Sequence, residues 1–346
     1  MIRLSIVIPS SRAGLTACSR ILQACSWAGP RVEIVVRDTS ADAAKGDFLR
    51  GVAHENCRLI VALPGDGGLA DALAAAQGDF VYLLADDGLC FDRALAMLPG
   101  VLESVAADAS IVGVAAPVLL ETADGAQAFA YPNIDAGDAL VRLSGYLSAG
   151  GPDLLLFAPI RRAAMSWALD IVGRRPFAFP FDDRITSMLY LVSGKFARMT
   201  RLMSVHAADG AEAERRAGLA FYQQGHLDPA TDKLHWFLCG FEGATLIRNL
   251  ALQQSYSPQQ RQALADLWFS AMFTRFRTDP RDAYGSPLAG EAEKLCARWK
   301  EAAGRLSFAD MLADICQFLA LTSQDNALKY FAFWSTILGL RQAPAA

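Results

Sequence analysis

The sequence predicts an α/β protein in which a mostly parallel, doubly wound sheet is followed by an all-helical region. Two observations support this prediction. Short apolar runs rich in β-branched residues alternate with helical segments through the first hundred residues, as in a parallel sheet. From about residue 208 onward the apolar spacing is helical almost without interruption. We therefore predict an α/β domain of residues 1–210 and a helical domain of residues 211–346.

Four strands, with helices between them, account for the first hundred residues. The first strand stops at Pro9, and the second runs into a turn that begins at Asp38. Because the carboxyl ends of the strands line the ligand crevice of such a sheet, residues that follow the strands are the first candidates for a site. The predicted strands are 4–8, 32–36, 58–63 and 80–84, and the predicted helices are 15–25, 41–49, 69–77 and 91–105.

The rest of the α/β domain is less regular. Residues 111–120 predict a further strand, whereas the Gly- and Ala-rich segment 121–153 has no clear period. A helix is predicted at 184–192, and an extended run follows it to Val205. In the helical domain the spacing predicts helices at 211–224, 232–254, 258–275, 290–301 and 308–338, the last with a break near Asp325.

The composition limits the classes of protein to consider. With 53% hydrophobic and 20% charged residues, the chain of 346 residues should fold throughout. Its net charge of −4 argues against nucleic acid as a partner, because phosphate neutralisation needs clustered Lys and Arg. Seven cysteines without a C-x-x-C pair suggest neither a disulfide framework nor a zinc ribbon, and they fit a reducing compartment. Without a secretory signal or a membrane-spanning window, we expect a cytoplasmic protein.

Two neighbouring carboxylates, Asp86 and Asp87, close the fourth strand. They would repel each other and resist desolvation unless a cation faced them. A divalent metal bridging diphosphate oxygens would supply that charge, since Mg²⁺ and Mn²⁺ favour carboxylate and phosphate oxygens. The alternative is a solvated turn in which Asp87-Gly88 is an ordinary loop dipeptide. The Asp86-Asp87 pair by itself leaves both interpretations open.

The order of three fragments resembles the family 2 glycosyltransferases. They are a strand ending in proline, a strand ending in an Asp-x-Ser turn, and a Gly-Asp-aromatic strand ending in acidic residues: SIVIP at 5–9, IVVRDTS at 34–40 and GDFVYLLADD at 78–87. The resemblance covers about residues 3–100 well and 175–206 more loosely. It implies a GT-A fold and transfer of a sugar from a nucleotide-sugar donor to a glycan or lipid-linked acceptor in polysaccharide biosynthesis.

The resemblance also implies a donor site and a metal, Mn²⁺ or Mg²⁺. In the family the aspartate that ends the second strand holds the base or ribose, which suggests this role for Asp38. The acidic motif is Asp-x-Asp or Asp-Asp-Asp in the family, and Ala85 stands here at its first position. The expected donor contacts are Pro9, Ser10, Arg12, Asp38, Ser40 and Asp86, and the expected metal ligands are Asp86, Asp87 and His206. For His206 a structural role is the open alternative, since a lone histidine is more often structural.

An inverting transfer needs a general base to deprotonate the acceptor hydroxyl. Relatives place this base in a Glu-Asp type motif that enters a helix, and FDDR at 181–184 resembles that element. The resemblance therefore suggests Asp183 as the base and Asp182 as its neighbour or an acceptor contact, with their order open. The alternative is that these carboxylates cap the helix, since Asp before a helix accepts backbone N–H bonds.

A second function competes with catalysis. Besides Ala85, the helix before the fourth strand carries Leu69-Ala70 where the family commonly has Arg-Asn, so a phosphate-neutralising cation is missing there. These departures motivate a non-catalytic nucleotide-sugar-binding or scaffolding protein. The aromatic residues of the helical domain predict core packing, with an exposed face for membrane or a lipid-linked acceptor as the alternative. The helical domain would support the acceptor or form a homo-oligomer.

Overall fold

The computed structural model describes residues 2–11, 13–14, 18–27, 29–52, 57–61, 68–84, 89–122, 125–151, 153–207, 211–250, 256–302 and 305–340. The chain forms two compact units. We call Met1–Asp170 with Ser193–Ala208 the sheet unit, and Ile171–Val192 with Asp209–Ala346 the helical unit. The segment 171–192 thus groups with the helices, while the division of the chain into domains at residue 210 stays a prediction.

Two β-sheets lie in the sheet unit. Among the described strands, the larger sheet has the order β10-β6-β9-β4-β1-β2-β3 and the smaller β5-β11-β7-β8. All described pairs in the larger sheet are parallel except those made by β9. The strands are β1 (Leu4–Ser10), β2 (Val32–Asp38), β3 (Cys57–Val61), β4 (Phe80–Leu83), β5 (Leu89–Cys90), β6 (Ile111–Ala115), β7 (Val118–Thr122), β8 (Gly125–Phe129), β9 (Ile160–Arg161), β10 (Lys195–Arg198) and β11 (Ser204–Ala207).

The helices follow the predicted alternation and then dominate the C-terminal region. The predicted α/β class, a mostly parallel sheet followed by a helical region, is therefore confirmed. The helices are α1 (Cys18–Cys25), α2 (Ala43–Val52), α3 (Gly68–Ala75), α4 (Asp92–Val105), α5 (Ala139–Ala149), α6 (Arg162–Gly173), α7 (Asp182–Ser193), α8 (Ala211–Gln224), α9 (His235–Asn249), α10 (Pro258–Thr278), α11 (Ala289–Ala302), α12 (Phe308–Ala320) and α13 (Gln324–Ile337), with 3₁₀ turns at Leu154–Phe157 and Pro229–Leu234.

Burial explains why the first strands form. Apart from Pro9, every residue of β1 is buried, and all of β2 is buried, as expected of strands covered on both faces. Gly78, at the start of the Gly-Asp-aromatic motif, is needed because the chain passes very close to β1. A Cβ there would lie 2.6 Å from the backbone nitrogen of Ser5. The glycine of this motif therefore has a packing role.

The structure departs from the predicted elements in the middle of the sheet unit. Residues 111–120, predicted as one strand, form β6 and β7 in different sheets, separated by Ala116-Pro117. Proline has no N–H to donate to a ladder, which accounts for the break. The expected break near Asp325 in the predicted helix 308–338 is observed: α12 ends at Ala320, and α13 begins after Ser323, whose side chain accepts from the Asn326 N–H.

None of the described helices has the length and apolar character required to cross a bilayer.

Candidate functional site

The ends of β1 and β2 form the centre of the candidate site. The two strands run parallel, with Ser10 directly opposite Asp38 at their carboxyl ends. β4 pairs with β1 on its other side and ends at the same edge. Two residues predicted from the sequence as donor contacts are therefore neighbours at the edge where a doubly wound sheet binds ligands.

A buried lysine joins these two residues. Lys45 Nζ lies 3.1 Å from Asp38 Oδ1 and donates to Ser10 Oγ at 2.7 Å. Lys45 is fully buried, and Asp38 and Ser10 are 3% and 1% exposed. A buried ammonium is tolerated only where it is paired and hydrogen-bonded, as here. We call Ser10, Asp38 and Lys45 the strand-end cluster.

Sequence reasoning missed Lys45. In α2 it shares a buried face with Gly46 and Leu49. A lysine four residues before a leucine of the apolar stripe was the available signal, because a cation on that stripe must have a buried partner. The partner is Asp38, seven residues earlier in the chain, at the end of the neighbouring strand.

The two loops beside the strand-end cluster are tied together by Asp42. Its Oδ2 accepts the Gly14 N–H at 2.8 Å, and its Oδ1 accepts the Ala44 and Lys45 N–H groups at 3.0 and 3.1 Å. The bond from Gly14, followed by the one from Lys45, lowers the pKa of Asp42. Asp42 therefore caps the start of α2, sets the position of Lys45 and holds the first loop against the second.

Asp38 is almost fully buried, and the described residues engage only one of its two carboxylate oxygens. Oδ1 meets Lys45 and accepts the Ser40 N–H at 3.1 Å, whereas no described residue donates a hydrogen bond to Oδ2. Ser40 is half-buried, and its Oγ accepts the Asp42 N–H at 3.3 Å. Pro9 is exposed at the end of β1. Such an arrangement can accept one N–H or O–H group from a nucleoside while the lysine balances the aspartate charge.

The predicted metal set is described only in part. Arg12, Asp86 and Asp87 lie outside the described residues. His206 lies on β11, one residue beyond Val205, which pairs with the first residue of β5, Leu89. Its Nε2 is 2.9 Å from Ser204 Oγ, and its ring centroid is 5.4 Å from that of Phe157.

These two neighbours do not by themselves form a metal site, and the predicted metal role of His206 stays a prediction. One imidazole, hydrogen-bonded to a hydroxyl, does not provide the oxygen-rich shell that Mg²⁺ or Mn²⁺ prefers. Among the described residues there is no group of three or more His, Cys, Asp and Glu side chains that could hold a metal ion. The metal assignment thus depends on Asp86 and Asp87 and stays a prediction.

A cleft lies beyond the carboxyl ends of β6 and β10 in the same unit. Its walls are mostly apolar and aromatic, and Arg198 and Ser204 supply polar groups. Because β10 pairs in parallel with β6, both strands end at this cleft. Sequence reasoning missed it because two of its three aromatic wall residues come from the 121–153 segment, which has no clear period. The aromatic residues of the wall are Phe129, Tyr131 and Phe157.

In the helical unit, the two aspartates predicted for acid–base chemistry begin α7. Asp182 is half-buried, forms an ion pair with Arg175 and accepts the Phe179 N–H at 3.0 Å. Burial raises the pKa of Asp182, and Arg175 opposes that rise. Asp183 is exposed. The two carboxylates therefore have different environments: the first is held by a cation and the second faces solvent.

Neither aspartate is the residue before the helix. The Ile185 N–H donates to the Phe181 carbonyl, so Phe181 takes the capping position and both aspartates lie in the first turn. Asp182 accepts from Phe179, which precedes the helix. Negative charge in the first turn is favourable, because the amino end of a helix is positive.

Comparison with known proteins shows the fold. No family model matches the sequence, and no curated protein matches it at a significant level. Solved structures do match. The crystal structure of S. aureus TarS 1–349 in complex with UDP-GlcNAc has a TM-score of 0.53 and 12% sequence identity, covering 99% of this chain and 93% of that one. Without the ligand the same TarS fragment gives a TM-score of 0.50 at the same identity and coverage.

A more distant structure is the mannosyltransferase PcManGT from Pyrobaculum calidifontis, in complex with GDP-Man and Mn²⁺. It is 17% identical, covers 98% of this chain and 88% of that chain, and has a TM-score of 0.44, too low to carry an argument. At the 12% identity of TarS, the likeness shows that this chain has a glycosyltransferase fold of the GT-A-like class and nothing finer.

Proposed function

We propose that this chain is a glycosyltransferase of the family 2 type that moves a sugar from a nucleotide-sugar donor to a glycan or lipid-linked acceptor. The strand-end cluster is the observation that carries the proposal: it places a charged, hydrogen-bonding group at the ligand-binding edge of a GT-A-like sheet. The motif order and the likeness to TarS, crystallised with UDP-GlcNAc, also support it. Cytoplasmic location, peripheral membrane contact and homo-oligomer formation belong to the same proposal.

In this proposal Asp38 binds the nucleoside. Its Oδ2 accepts an N–H of the base or an O–H of the ribose, and Lys45 holds the carboxylate in a fixed orientation. Lys45 does not contact the phosphates, because it is fully buried and already engaged. The remaining proposed donor contacts come from the loops beside the cluster and from the end of β4: Pro9, Ser10, Arg12, Ser40 and Asp86.

The proposed reaction is an inverting displacement. The acceptor oxygen attacks the anomeric carbon, the bond from that carbon to the diphosphate oxygen breaks, and the hydroxyl proton passes to a carboxylate. We assign the base to Asp183, which faces solvent, because Asp182 is already paired with Arg175. Asp182 then acts as its neighbour in the first turn of α7.

The proposed cofactor is Mn²⁺ or Mg²⁺, held by Asp86 and Asp87. A divalent ion supplies positive charge to the departing diphosphate. The metal is more important here because Leu69 and Ala70 of α3 have side chains that cannot neutralise a phosphate. His206 would join the metal through Nδ1 while its Nε2 keeps the contact with Ser204.

The testing experiment is nucleotide binding by calorimetry with UDP, GDP, CMP and dTDP, each with and without Mn²⁺. We expect one nucleotide to bind, UDP being tried first, and more tightly with metal. Asp38→Asn should weaken that binding by about 10- to 100-fold, because a hydrogen bond to a charged group is lost. Asp79→Asn is the matched control, since Asp79 precedes β4 at the opposite edge of the sheet.

The outcomes separate the two candidate functions. Binding without turnover would favour a non-catalytic nucleotide-sugar-binding or scaffolding protein, which the absent Arg-Asn pair at Leu69-Ala70 motivates. Binding by none of the four nucleotides contradicts the proposed donor site. Should Asp38→Asn fail to fold, the double variant with Lys45→Met removes both charges and keeps the buried volume.

A further inference from the structure

A buried chain of charged and polar groups runs from the start of α7 into two other helices of the helical unit. Arg175 contacts Asp182, and its Nη1 lies 2.5 Å from Glu242 Oε2 on α9. The other oxygen of Glu242 accepts the Tyr330 hydroxyl of α13 at 2.7 Å. The side chains of Arg175 and Glu242 are each 1% exposed. We call Arg175, Glu242 and Tyr330 the α7 anchor.

Aromatic stacking fixes the segment that the α7 anchor holds. Phe177 stacks on the Tyr330 ring, with centroids 6.2 Å apart and planes 10° apart. Phe179 stacks on Phe181 at 4.9 Å and 8°. The Arg175 guanidinium lies 5.9 Å from the Phe181 ring centre. The chain between Arg175 and Asp182 is thus packed on both sides of the ion pair and has little freedom to shift.

The start of α7 is thus held firmly, although the residue after Asp182 is exposed. Burying three ionisable groups is costly and is weak support for stability by itself, because apolar residues often replace such groups without loss. What the arrangement does provide is a defined direction for the first turn of α7. Asp183 follows Asp182 directly in that turn and is exposed.

Resting on the proposed function, we propose that Arg175, Glu242 and Tyr330 are positioning residues that hold the first turn of α7 and so set the direction of the Asp183 carboxylate. A base must meet the acceptor hydroxyl within hydrogen-bonding distance, and a displacement of about 1 Å can cost about 100-fold in rate. The anchor acts through Asp182, which it holds by an ion pair, and it does not itself contact the reacting atoms.

Two conservative variants test the anchor without emptying the core. Tyr330→Phe keeps the ring that stacks on Phe177 and removes the hydroxyl that reaches Glu242. Glu242→Gln keeps an acceptor for Tyr330 and removes the charge that faces Arg175. The matched control is Asp314→Asn, because Asp314 is another buried carboxylate of this unit, bonded to Trp299 at 3.0 Å and paired with Arg298 at 2.9 Å.

The first readout is release of nucleoside diphosphate from UDP-GlcNAc, or from the sugar donor of whichever nucleotide binds, with water as the acceptor. We expect Tyr330→Phe and Glu242→Gln to lower kcat by about 10-fold or more while KM stays within about two-fold. Asp314→Asn should leave kcat within about two-fold, even where it lowers the unfolding midpoint. Asp183→Asn is measured beside them.

The outcomes are distinguishable. If Asp183→Asn abolishes turnover and the two anchor variants keep the wild-type kcat, the positioning role is wrong and the proposed function stands. If Asp183→Asn keeps the wild-type kcat, the base assignment fails and the positioning role fails with it. If the anchor variants and Asp314→Asn lose kcat equally, the α7 anchor contributes only to stability and the positioning role is wrong.

A second readout does not depend on turnover. Hydrogen exchange of peptides covering residues 181–188 should be faster in Tyr330→Phe and Glu242→Gln than in the wild type, and unchanged in Asp314→Asn. Where water is too poor an acceptor for turnover to be measured, this comparison decides. Unchanged exchange in both anchor variants would overturn the claim that the chain holds the start of α7.

Discussion

The two units of this protein each bury a basic side chain, and they use it differently. In the sheet unit Lys45 meets a single carboxylate, Asp38, and a hydroxyl. In the helical unit Arg175 is shared between two carboxylates, Asp182 and Glu242. The first arrangement balances charge one to one and engages only one Asp38 oxygen among the described residues. The second has two carboxylates for one arginine, so its net charge depends on whether Glu242 carries a proton.

Among the variants that test this comparison, Lys45→Met should have the largest effect on the free energy of unfolding. Removing the cation leaves Asp38 buried without a counter-charge, which should cost about 3–5 kcal/mol of unfolding free energy. Urea denaturation measures it. The double variant Asp38→Asn/Lys45→Met should recover much of the loss, and equal losses in the single and double variants would show that the pair is not coupled.

The next effect concerns pH and Glu242. Burial raises the pKa of Glu242 to about 7, while Arg175 and the Tyr330 hydroxyl oppose the rise and Asp182 adds to it. The folded pKa therefore exceeds the usual 4.5, and the folded state binds the extra proton between these values. The stability contribution is full below about pH 4.5 and is lost as the pH rises through about 7.

Glu242→Gln should remove this pH dependence. The unfolding free energy of the wild type should fall by up to about 3 kcal/mol more than that of Glu242→Gln between about pH 4.5 and pH 8. Urea titrations at several pH values measure the difference. Parallel pH curves for the two proteins would mean that Glu242 keeps an ordinary carboxyl pKa beside Arg175. Lys45→Met retains Glu242 and should therefore keep the pH dependence of the wild type.

The smallest effect is expected at Asp42, which holds the first loop to α2 beside the strand-end cluster. Asp42→Ala removes the acceptor for the Gly14, Ala44 and Lys45 N–H groups. It should lower the urea midpoint less than Lys45→Met and weaken nucleotide binding several-fold. Asp47→Ala is the control, because Asp47 lies on the same helix and pairs with the exposed Arg50. Equal behaviour of the two variants would remove Asp42 from the site.

Local patterns predicted most of the fold. Runs of β-branched residues that stop at a proline or an acidic turn identified β1, β2 and β4. Helical spacing identified α8 and the later helices. Strand order across the sheet is a long-range property that such patterns do not contain. The antiparallel β9 is two residues long and lies between β4 and β6, which is too short for any period to reveal.

The sequence indicated some residues of the candidate site and missed others. Asp38 was indicated by its place at a strand end and Ser10 by the family resemblance, and the structure brings the two together. Lys45 and Arg175 lie close in sequence to Asp38 and Asp182, but the sequence does not show which cations turn inward. Glu242 lies 67 residues from Arg175, a long-range contact that local patterns do not contain. The roles of Asp182 and Asp183 remain predictions, but their contrasting environments are new information that their shared motif could not supply.

The pairing of Ser10 with Asp38 has a consequence for which changes this protein tolerates. Successive side chains of a strand point to opposite faces, so a shift of one residue in β2 would place Arg37 or Thr39 beside Ser10 and turn Asp38 away from Lys45. The apolar residues of β1 and β2 can exchange with others of similar size. Adding or deleting a single residue between Val32 and Asp38 would dismantle the strand-end cluster while leaving the composition nearly unchanged.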